Sequence, residues 1–158
     1  MANAEEPTDQ AFEDALRAVP GAHWDDLWDA VAAVRGEPGH MTWGGGEQVV
    51  RTVNGVEQPA TTMPYAVYSP AVDRLRSLLG ALVVPFAWPD WDGVLRYRGG
   101  AGMAAAPVAD AVRMIVAVLR SERFSEGSIG GALSDGTLLA AVDRVRRWYD
   151  EHRETTPT

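Results

Sequence analysis

The stretch PVADAVRMIVAVLR, residues 107–120, decides which kind of fold this chain can adopt. Its apolar side chains recur three and four residues apart, which is the spacing of one face of an α-helix. The positions that define this face are Val108, Val112, Ile115, Val116 and Leu119. The stretch therefore predicts a long apolar helix, and it indicates a protein built mainly from helices around one core.

Five further segments carry helical signals. One helix is expected to begin after Thr8, a suitable N-cap, and another at Ser69-Pro70, an N-cap serine followed by proline at the first helical position. The predicted helices span residues 9–19, 23–35, 70–83, 125–133 and 137–151. We expect the first two to form an antiparallel pair, and Trp148 to be largely buried at the end of the inward stripe of the last.

The segment between the second and third of these helices is not helical. Asn54-Gly55 separates two β-rich runs and is the strongest short signal for a β-hairpin. Pro59 restricts the returning strand to an edge position, because proline cannot donate to a neighbouring strand. We interpret Gly44-Gly45-Gly46 as a flexible lead-in to the hairpin, and residues 94–98 as a candidate for one further short strand.

Together these signals predict a mainly α fold: a compact bundle of five or six helices with one small β-hairpin, at the margin of the α+β class. A chain of 158 residues is long enough to bury one such core. We expect a single helical domain over residues 8–152, with the hairpin at about 48–62. Flexible termini are expected at residues 1–7 and 153–158.

Composition excludes several classes of function. Cysteine is absent, which excludes disulfides, thiolate metal sites and a cysteine nucleophile. The three histidines lie far apart in sequence, so no metal site is expected. Residues 100–105 match G-x-G-x-x-A but lack the parallel βαβ context of a dinucleotide site, so no cofactor is expected. The longest apolar stretch, residues 78–88, is too short to span a bilayer, and we expect a cytoplasmic protein with no membrane partner.

The net charge of −8 is concentrated in the first third of the chain. Residues 1–50 hold ten acids and two arginines, so they carry the whole excess of negative charge. Nucleic acid is not an expected partner, because phosphate binding requires a basic surface. An acidic front could meet a basic protein, or it could be a solvated helical face that aids solubility.

The loop FAWPDWDG, residues 86–93, is the richest candidate site. It places Trp88, Asp90, Trp91 and Asp92 within five residues. Rigid aromatic rings beside carboxylates can line a ligand pocket, and a carboxylate held against indole can acquire a raised pKa suited to general acid catalysis. The alternative is structural, with the tryptophans closing the end of the core and the aspartates making turn or N-cap hydrogen bonds.

Two smaller clusters are candidates for ligand or partner binding. Tyr65 and Tyr68 lie just before a predicted helix N-terminus, a place that attracts anions, although core packing would also explain them. Arg96 and Arg98 would share one face of a strand and, with Arg123, could close over an acid or a phosphate. Ion pairs to the many nearby acids are the alternative role for these arginines.

Four further motifs are read together: MPYAVYSP at residues 63–70, FAW at 86–88, RYRGG at 96–100 and RSERFSEG at 120–127. They resemble a family of small uncharacterised bacterial proteins, mainly actinobacterial, that form a domain of unknown function. The resemblance covers roughly residues 24–148. It implies a bacterial cytoplasmic protein whose loops carry the recognisable residues, and it carries no catalytic residue across.

The leading hypothesis for function is therefore a non-enzymatic binding or protein-interaction module that uses the aromatic loops, the two tyrosines and the arginines. The alternative is a small hydrolase- or lyase-type enzyme in which Asp90 or Asp92 acts as acid or base and Arg96 or Arg123 stabilises an anion. A concave pocket that holds one of these aspartates would favour the enzyme. The ligand, the oligomeric state and the pathway are left open by the sequence.

Overall fold

The long helix predicted from residues 107–120 is the centre of the structure. A computed structural model describes residues 5–153, and in it helix α5 (Val108–Ser121) is buried on nearly all sides. Ten of its fourteen residues are buried. The mainly α fold predicted from the sequence is confirmed, because helices make up most of the described residues. Other helices pack around α5 and cover it.

Six other helices accompany α5 in the described residues. They are α1 (Asp9–Arg17), α2 (Gly21–Gly36), α3 (Pro70–Leu79), α4 (Gly93–Arg96), α6 (Ser128–Ser134) and α7 (Thr137–Arg153). Helices α1, α4, α6 and α7 pack against α5, while α2 packs against α3. The expected antiparallel pair of α1 and α2 is wrong, because their apolar stripes face different partners.

Two helix starts confirm the capping signals in the sequence. The Thr8 hydroxyl accepts a hydrogen bond from the Ala11 amide at 3.3 Å. The Ser69 hydroxyl accepts one from the Val72 amide at 3.2 Å, and Pro70 occupies the first turn of α3. Each hydroxyl satisfies a backbone N–H that the helix itself leaves without a partner.

Residues 41–68 form two antiparallel strand pairs, one following the other along the same ribbon, which we call the β ribbon. Its strands are β1 (Met41–Gly44), β2 (Gln48–Val53), β3 (Val56–Thr61) and β4 (Tyr65–Tyr68). The predicted hairpin is confirmed, with Asn54 and Gly55 both at positive φ between β2 and β3, as a type I′ turn requires. The pairing of β1 with β4 was not predicted, and Gly44 belongs to a strand instead of a flexible lead-in.

The β ribbon is continuous across the break between its two pairs. The Gly46 amide donates to the Thr62 carbonyl at 3.0 Å, and the Thr62 amide donates to the Glu47 carbonyl at 2.9 Å. Beyond this point β2 and β3 are almost wholly exposed, whereas β1 and β4 lie against the helices. The distal hairpin therefore projects from the helical body as an arm.

The short strand expected at residues 94–98 is wrong. The Asp92 carbonyl accepts from the amides of Leu95 and Arg96, so the chain turns into α4 and then into a 3-10 turn over Arg98–Gly100. A helical turn brings Tyr97 inward, where it is 7% exposed. Arg96 and Arg98 consequently do not share the face of a strand.

The expectations for the chain termini fall largely outside the described residues, which exclude 1–4 and 154–158. Within residues 5–153, no helix is both long enough and apolar enough to cross a membrane.

We expect Trp148→Ala to lower the free energy of unfolding by about 3–5 kcal/mol, because it empties a large volume in the core. Trp148 is only 5% exposed, as the inward stripe of α7 predicts. Urea denaturation measures the effect. The control is Phe124→Ala, which removes a side chain that is 82% exposed and should cost less than about 0.5 kcal/mol. Equal losses in the two variants would contradict the assignment of Trp148 to the core.

Candidate functional site

The tryptophan loop closes one end of the core. The Trp91 ring centroid lies 6.0 Å from that of Phe86 and 6.2 Å from that of Tyr97. Its indole also lies directly on Gly93, where an added Cβ would come within 2.0 Å of Trp91 Cζ2. Gly93 is thus the residue that lets the ring lie flat at the start of α4, and Trp91 packs as part of the core boundary.

The two aspartates of this loop lie on its exposed side. Asp92 Oδ1 accepts from Arg96 Nη2 at 2.5 Å, one helical turn away, and this pair is exposed. The contact raises the pKa of the Arg96 guanidinium, mainly through the hydrogen bond to Asp92. The Trp88 ring packs beside Phe124, with 6.0 Å between the ring centroids. Neither Asp90 nor Asp92 lines any of three grooves on the described surface, which lie beside Tyr68, beside Arg98, and between α1 and the end of α7.

Tyr68 lies at a different place, in a buried polar cluster around Glu122. The Tyr68 hydroxyl donates to Glu122 Oε2 at 2.8 Å, and the Ile129 amide donates to the same oxygen at 2.8 Å. The Gly127 amide donates to Glu122 Oε1 at 3.0 Å. The carboxylate, on a residue that is 7% exposed, thereby joins the end of α5, the start of α6 and strand β4.

The close approach of the β ribbon to α6 depends on two glycines. Gly127 has φ +90° and lies against the Trp43 ring, at 3.1 Å from the place of a Cβ. At Gly130 a Cβ would meet Met41 Sδ at 2.8 Å. The Gly130 amide also donates to the Tyr68 hydroxyl at 3.2 Å. Side chains at these positions would push the base of the ribbon away from the helix.

A polar groove of about 420 Å³ runs beside the Glu122 cluster. Tyr65, at its edge, is 52% exposed and packs across Gly44 on the paired strand. The other charged residues of the groove are Asp73, Arg76 and Glu126. Glu126 accepts from the Ala66 amide at 3.0 Å, so part of this charge is used to hold β4 in place.

A second buried carboxylate lies at the opposite end of α5. Asp110 accepts from the Tyr97 hydroxyl at 2.5 Å and from Arg113 Nη1 at 2.7 Å. Arg113 Nη2 continues the network to Asp9 on α1 at 2.7 Å. The hydrogen bond to Asp110, followed by burial, raises the pKa of the Tyr97 phenol.

The remaining nominated arginines are separated from these clusters. Arg98 lines another groove, of about 310 Å³, between α5, α6 and the start of α7. Arg123 is exposed in the connection that follows α5. The structure therefore distributes the nominated residues over several places. Asp92 and Arg96 are joined by a side-chain hydrogen bond, and the Trp91 amide donates to the Trp88 carbonyl at 3.2 Å.

The two buried carboxylates have structural partners for their oxygens. Three donors face Glu122, and two face Asp110, so each negative charge is compensated where it lies. Within residues 5–153, no group of three or more His, Asp or Glu side chains could hold a metal ion. The sequence analysis assigned no role to Glu122, Asp110 or Arg113, because their contacts with Tyr68, Tyr97 and Asp9 join segments that are distant in sequence.

Comparison with known proteins assigns the chain to a family. A family model described as "Family of unknown function (DUF6508)" matches residues 19–151, which is most of the chain. No curated protein and no solved structure matches the chain at a significant level.

We expect Glu122→Gln to lower the free energy of unfolding by about 1.5–3 kcal/mol. The amide places an NH₂ group where Glu122 receives donors on both oxygens, so at least one backbone N–H loses its acceptor. The matched control is Glu126→Gln, whose exposed carboxylate receives a single backbone N–H and should cost less than about 1 kcal/mol. Thermal or urea denaturation compares the two, and similar losses would show that burial of Glu122 is unimportant.

Tyr68 should make a contribution to stability that disappears in alkali. Burial, followed by the hydrogen bond to Glu122, raises the pKa of Tyr68 from 10.0 to about 12. The unfolded chain releases this proton near pH 10 and the folded protein near pH 12, so the contribution is complete below pH 10 and is lost as the pH rises through 12. We expect the stability difference between the wild type and Tyr68→Phe to shrink over this interval. A difference that stays constant in urea denaturation at each pH would contradict the assignment.

Proposed function

Because the chain belongs to DUF6508, a family of unknown function, no activity comes to it from its relatives, and we propose on physical grounds that it is a non-enzymatic protein-interaction module. Its β ribbon would receive an extended segment of a partner protein. One observation carries the proposal: seven of the ten exposed large hydrophobic residues in the described part of the chain lie between residues 41 and 68. They are Trp43, Val50, Val53, Val56, Met63, Tyr65 and Val67.

So many exposed apolar side chains in one segment are unusual, because they contribute nothing to the core. Val50 is 69% exposed and Met63 is 83% exposed, although both lie in a protein that buries a large core elsewhere. Concentrated apolar surface on a projecting element is typical of an interaction site. The ribbon also carries only Glu47, Arg51 and Glu57 as charges, so apolar contact and backbone hydrogen bonding, more than charge, would recognise the partner.

The backbone of the arm favours one of its two edges. Val53 and Val56 close a two-residue turn as a hydrogen-bonded pair, so pairs along the hairpin alternate from there. The pair of Thr52 with Glu57 is then non-hydrogen-bonded, and so is that of Val50 with Pro59. Residues in such pairs point their N–H and C=O groups outward. On β3 the outward position at Pro59 has no N–H, whereas β2 keeps all of its outward donors.

Edge strand β2 is therefore the position at which a partner strand would add, by the backbone pairing called β-augmentation. The partner segment suited to it is extended and carries alternating β-branched or aromatic side chains. Phe124, with Trp88 against its ring and Arg123 beside it in sequence, would supply a second contact at the helical body.

The wider setting is part of the same proposal: a bacterial cytoplasmic protein, as the resemblance in its loops implies. Tyr65 lies on the proposed surface, and Tyr68 fixes its base through Glu122. Asp90, Trp91, Asp92, Arg96 and Arg98 have no part in the ribbon. The enzyme alternative lacks a supporting observation of its own, because Asp90 and Asp92 are exposed and line none of the three grooves.

A matched pair of proline variants tests the edge. Thr52→Pro removes an outward N–H from β2, and Glu57→Pro removes one from β3 at the opposing position of the same pair. The probe is a displayed library of random twelve-residue peptides, selected on the wild-type chain. We expect selection of extended peptides with alternating apolar residues, at least tenfold weaker binding to Thr52→Pro and little change in Glu57→Pro.

Both variants should keep the helical fold, which circular dichroism checks. Peptides that bind Thr52→Pro as tightly as the wild type would contradict the role of the β2 edge. The proposed function would itself be contradicted if no peptide family were selected, or if neither proline variant weakened the binding of the selected peptides.

A further inference from the structure

The edge of β2 carries two charges whose order along the strand fixes how a bound segment can lie. We propose that this edge selects an antiparallel partner segment in which an acidic residue precedes a basic residue by four positions. The inference rests on the proposed function, because it concerns the segment that pairs with β2. It adds the direction and the register in which that segment binds.

Glu47, Val49, Arg51 and Val53 share one face of the arm. Successive residues of a strand point to opposite faces, so every second residue lies on the same side. The pairing reaches Glu47, one residue before β2, because the Thr62 amide donates to the Glu47 carbonyl at 2.9 Å. Along this face the edge therefore reads acidic, apolar, basic, apolar.

Neither charge on this face has a partner in the described chain. Glu47 and Arg51 are exposed, and within residues 5–153 neither forms an ion pair. They lie four residues apart along a strand, about 13 Å, which is too far for contact with each other. Across the arm Arg51 faces Gln58, and Glu47 faces Thr62. Both charges are thus available to a segment that adds at β2.

An added strand brings its side chains closest to this face. Val53 and Val56 form a hydrogen-bonded pair, and the alternation from there points the N–H and C=O groups of Arg51 inward, toward β3. In an antiparallel addition Arg51 then lies in a non-hydrogen-bonded pair, in which opposite Cα atoms are about 4.5 Å apart. Opposite charges stabilise such a pair, and like charges destabilise it.

These contacts define the order of residues in the partner. An antiparallel segment runs from Val53 toward Glu47, so its residue opposite Arg51 comes four positions before its residue opposite Glu47. An acid is favoured at the first position, a base at the second, and an apolar residue midway between them, opposite Val49. A parallel segment would need the two charges in the reverse order. The charges thereby select direction and register, while apolar contact and backbone hydrogen bonds supply the affinity.

A second copy of the chain is the competing occupant, because β2 carries the same order itself, with Glu47 four residues before Arg51. Two β2 edges would then pair antiparallel about Val49. The net charge of −8 on each copy opposes this pairing, since the copies repel one another. The edge is therefore assigned to a segment of a different protein, and the oligomeric state is part of the test.

Two peptides of identical composition test the order. Both have nine residues, with valine at positions 2 and 6 and threonine at the odd positions. The forward peptide carries glutamate at position 4 and lysine at position 8, and the exchanged peptide carries the two reversed. We expect fluorescence polarisation to show about fivefold tighter binding of the forward peptide to the wild-type chain, with a smaller preference at high salt.

A charge-exchanged chain reverses the expected preference. Glu47→Arg combined with Arg51→Glu keeps the net charge, and this double variant should bind the exchanged peptide more tightly than the forward one. Glu57→Gln is the control and should keep the wild-type preference, because Glu57 lies on β3 and points to the other face of the arm. Analytical ultracentrifugation should show that the wild-type chain is a monomer.

Equal binding of the two peptides to the wild-type chain, or an unchanged preference in the charge-exchanged chain, would overturn the inference. The proposed function would stand in that case if Thr52→Pro weakened the binding of both peptides. Binding of neither peptide at millimolar concentration would also overturn the inference, and the selection of library peptides decides the proposed function separately. A wild-type dimer that Arg51→Glu dissociates would assign the edge to a second copy and would likewise overturn it.

Discussion

Burial of α5 on nearly all sides is the constraint on which the rest of this structure depends. Each end of the helix places a carboxylate where little solvent reaches it: Asp110 is 8% exposed and Glu122 is 7% exposed. A buried charge is unfavourable unless hydrogen-bond donors face it. Each end carries a buried carboxylate that accepts from a tyrosine hydroxyl: Asp110 from Tyr97 at the start, and Glu122 from Tyr68 at the finish. Together with the other donors to the same oxygens, these two pairs compensate the negative charge that is buried at the ends of α5.

The two carboxylates face opposite electrostatic conditions. Asp110 lies in the first turn of α5, where the helix dipole favours negative charge. Glu122 lies at the C-terminal end, where the dipole opposes it, and the amides of Gly127 and Ile129 at the start of α6 compensate. Since the Tyr68 hydroxyl donates to the same carboxylate, the hydrogen bonds that compensate Glu122 also anchor the β ribbon. The placement of the projecting arm is thus a consequence of how the central helix ends.

Local signals explain which parts of this fold could be predicted. Helical periodicity, the Ser69-Pro70 start and the Asn54-Gly55 turn act over a few residues, and each was confirmed. The β1–β4 pairing escaped prediction because it joins short segments across an intervening hairpin and rests on Gly127 and Gly130 of a distant helix. Tyr68 stood out in the sequence, but its meaning depends on Glu122, fifty-four residues away, and nothing local indicates that contact.

The acidic first third acquires a physical role once the exposed arm is considered. An edge strand with exposed valines can pair with another copy of itself, and proteins commonly prevent this with charge and proline. Pro59 blocks one edge of the arm, but β2 stays open. Asp25, Asp26 and Asp29 lie exposed on α2, and the net charge of −8 makes copies of the chain repel one another. The repulsion acts between like chains and leaves a neutral or basic protein free to approach, so the charge that discourages self-pairing would leave the β2 edge open for the partner that we propose.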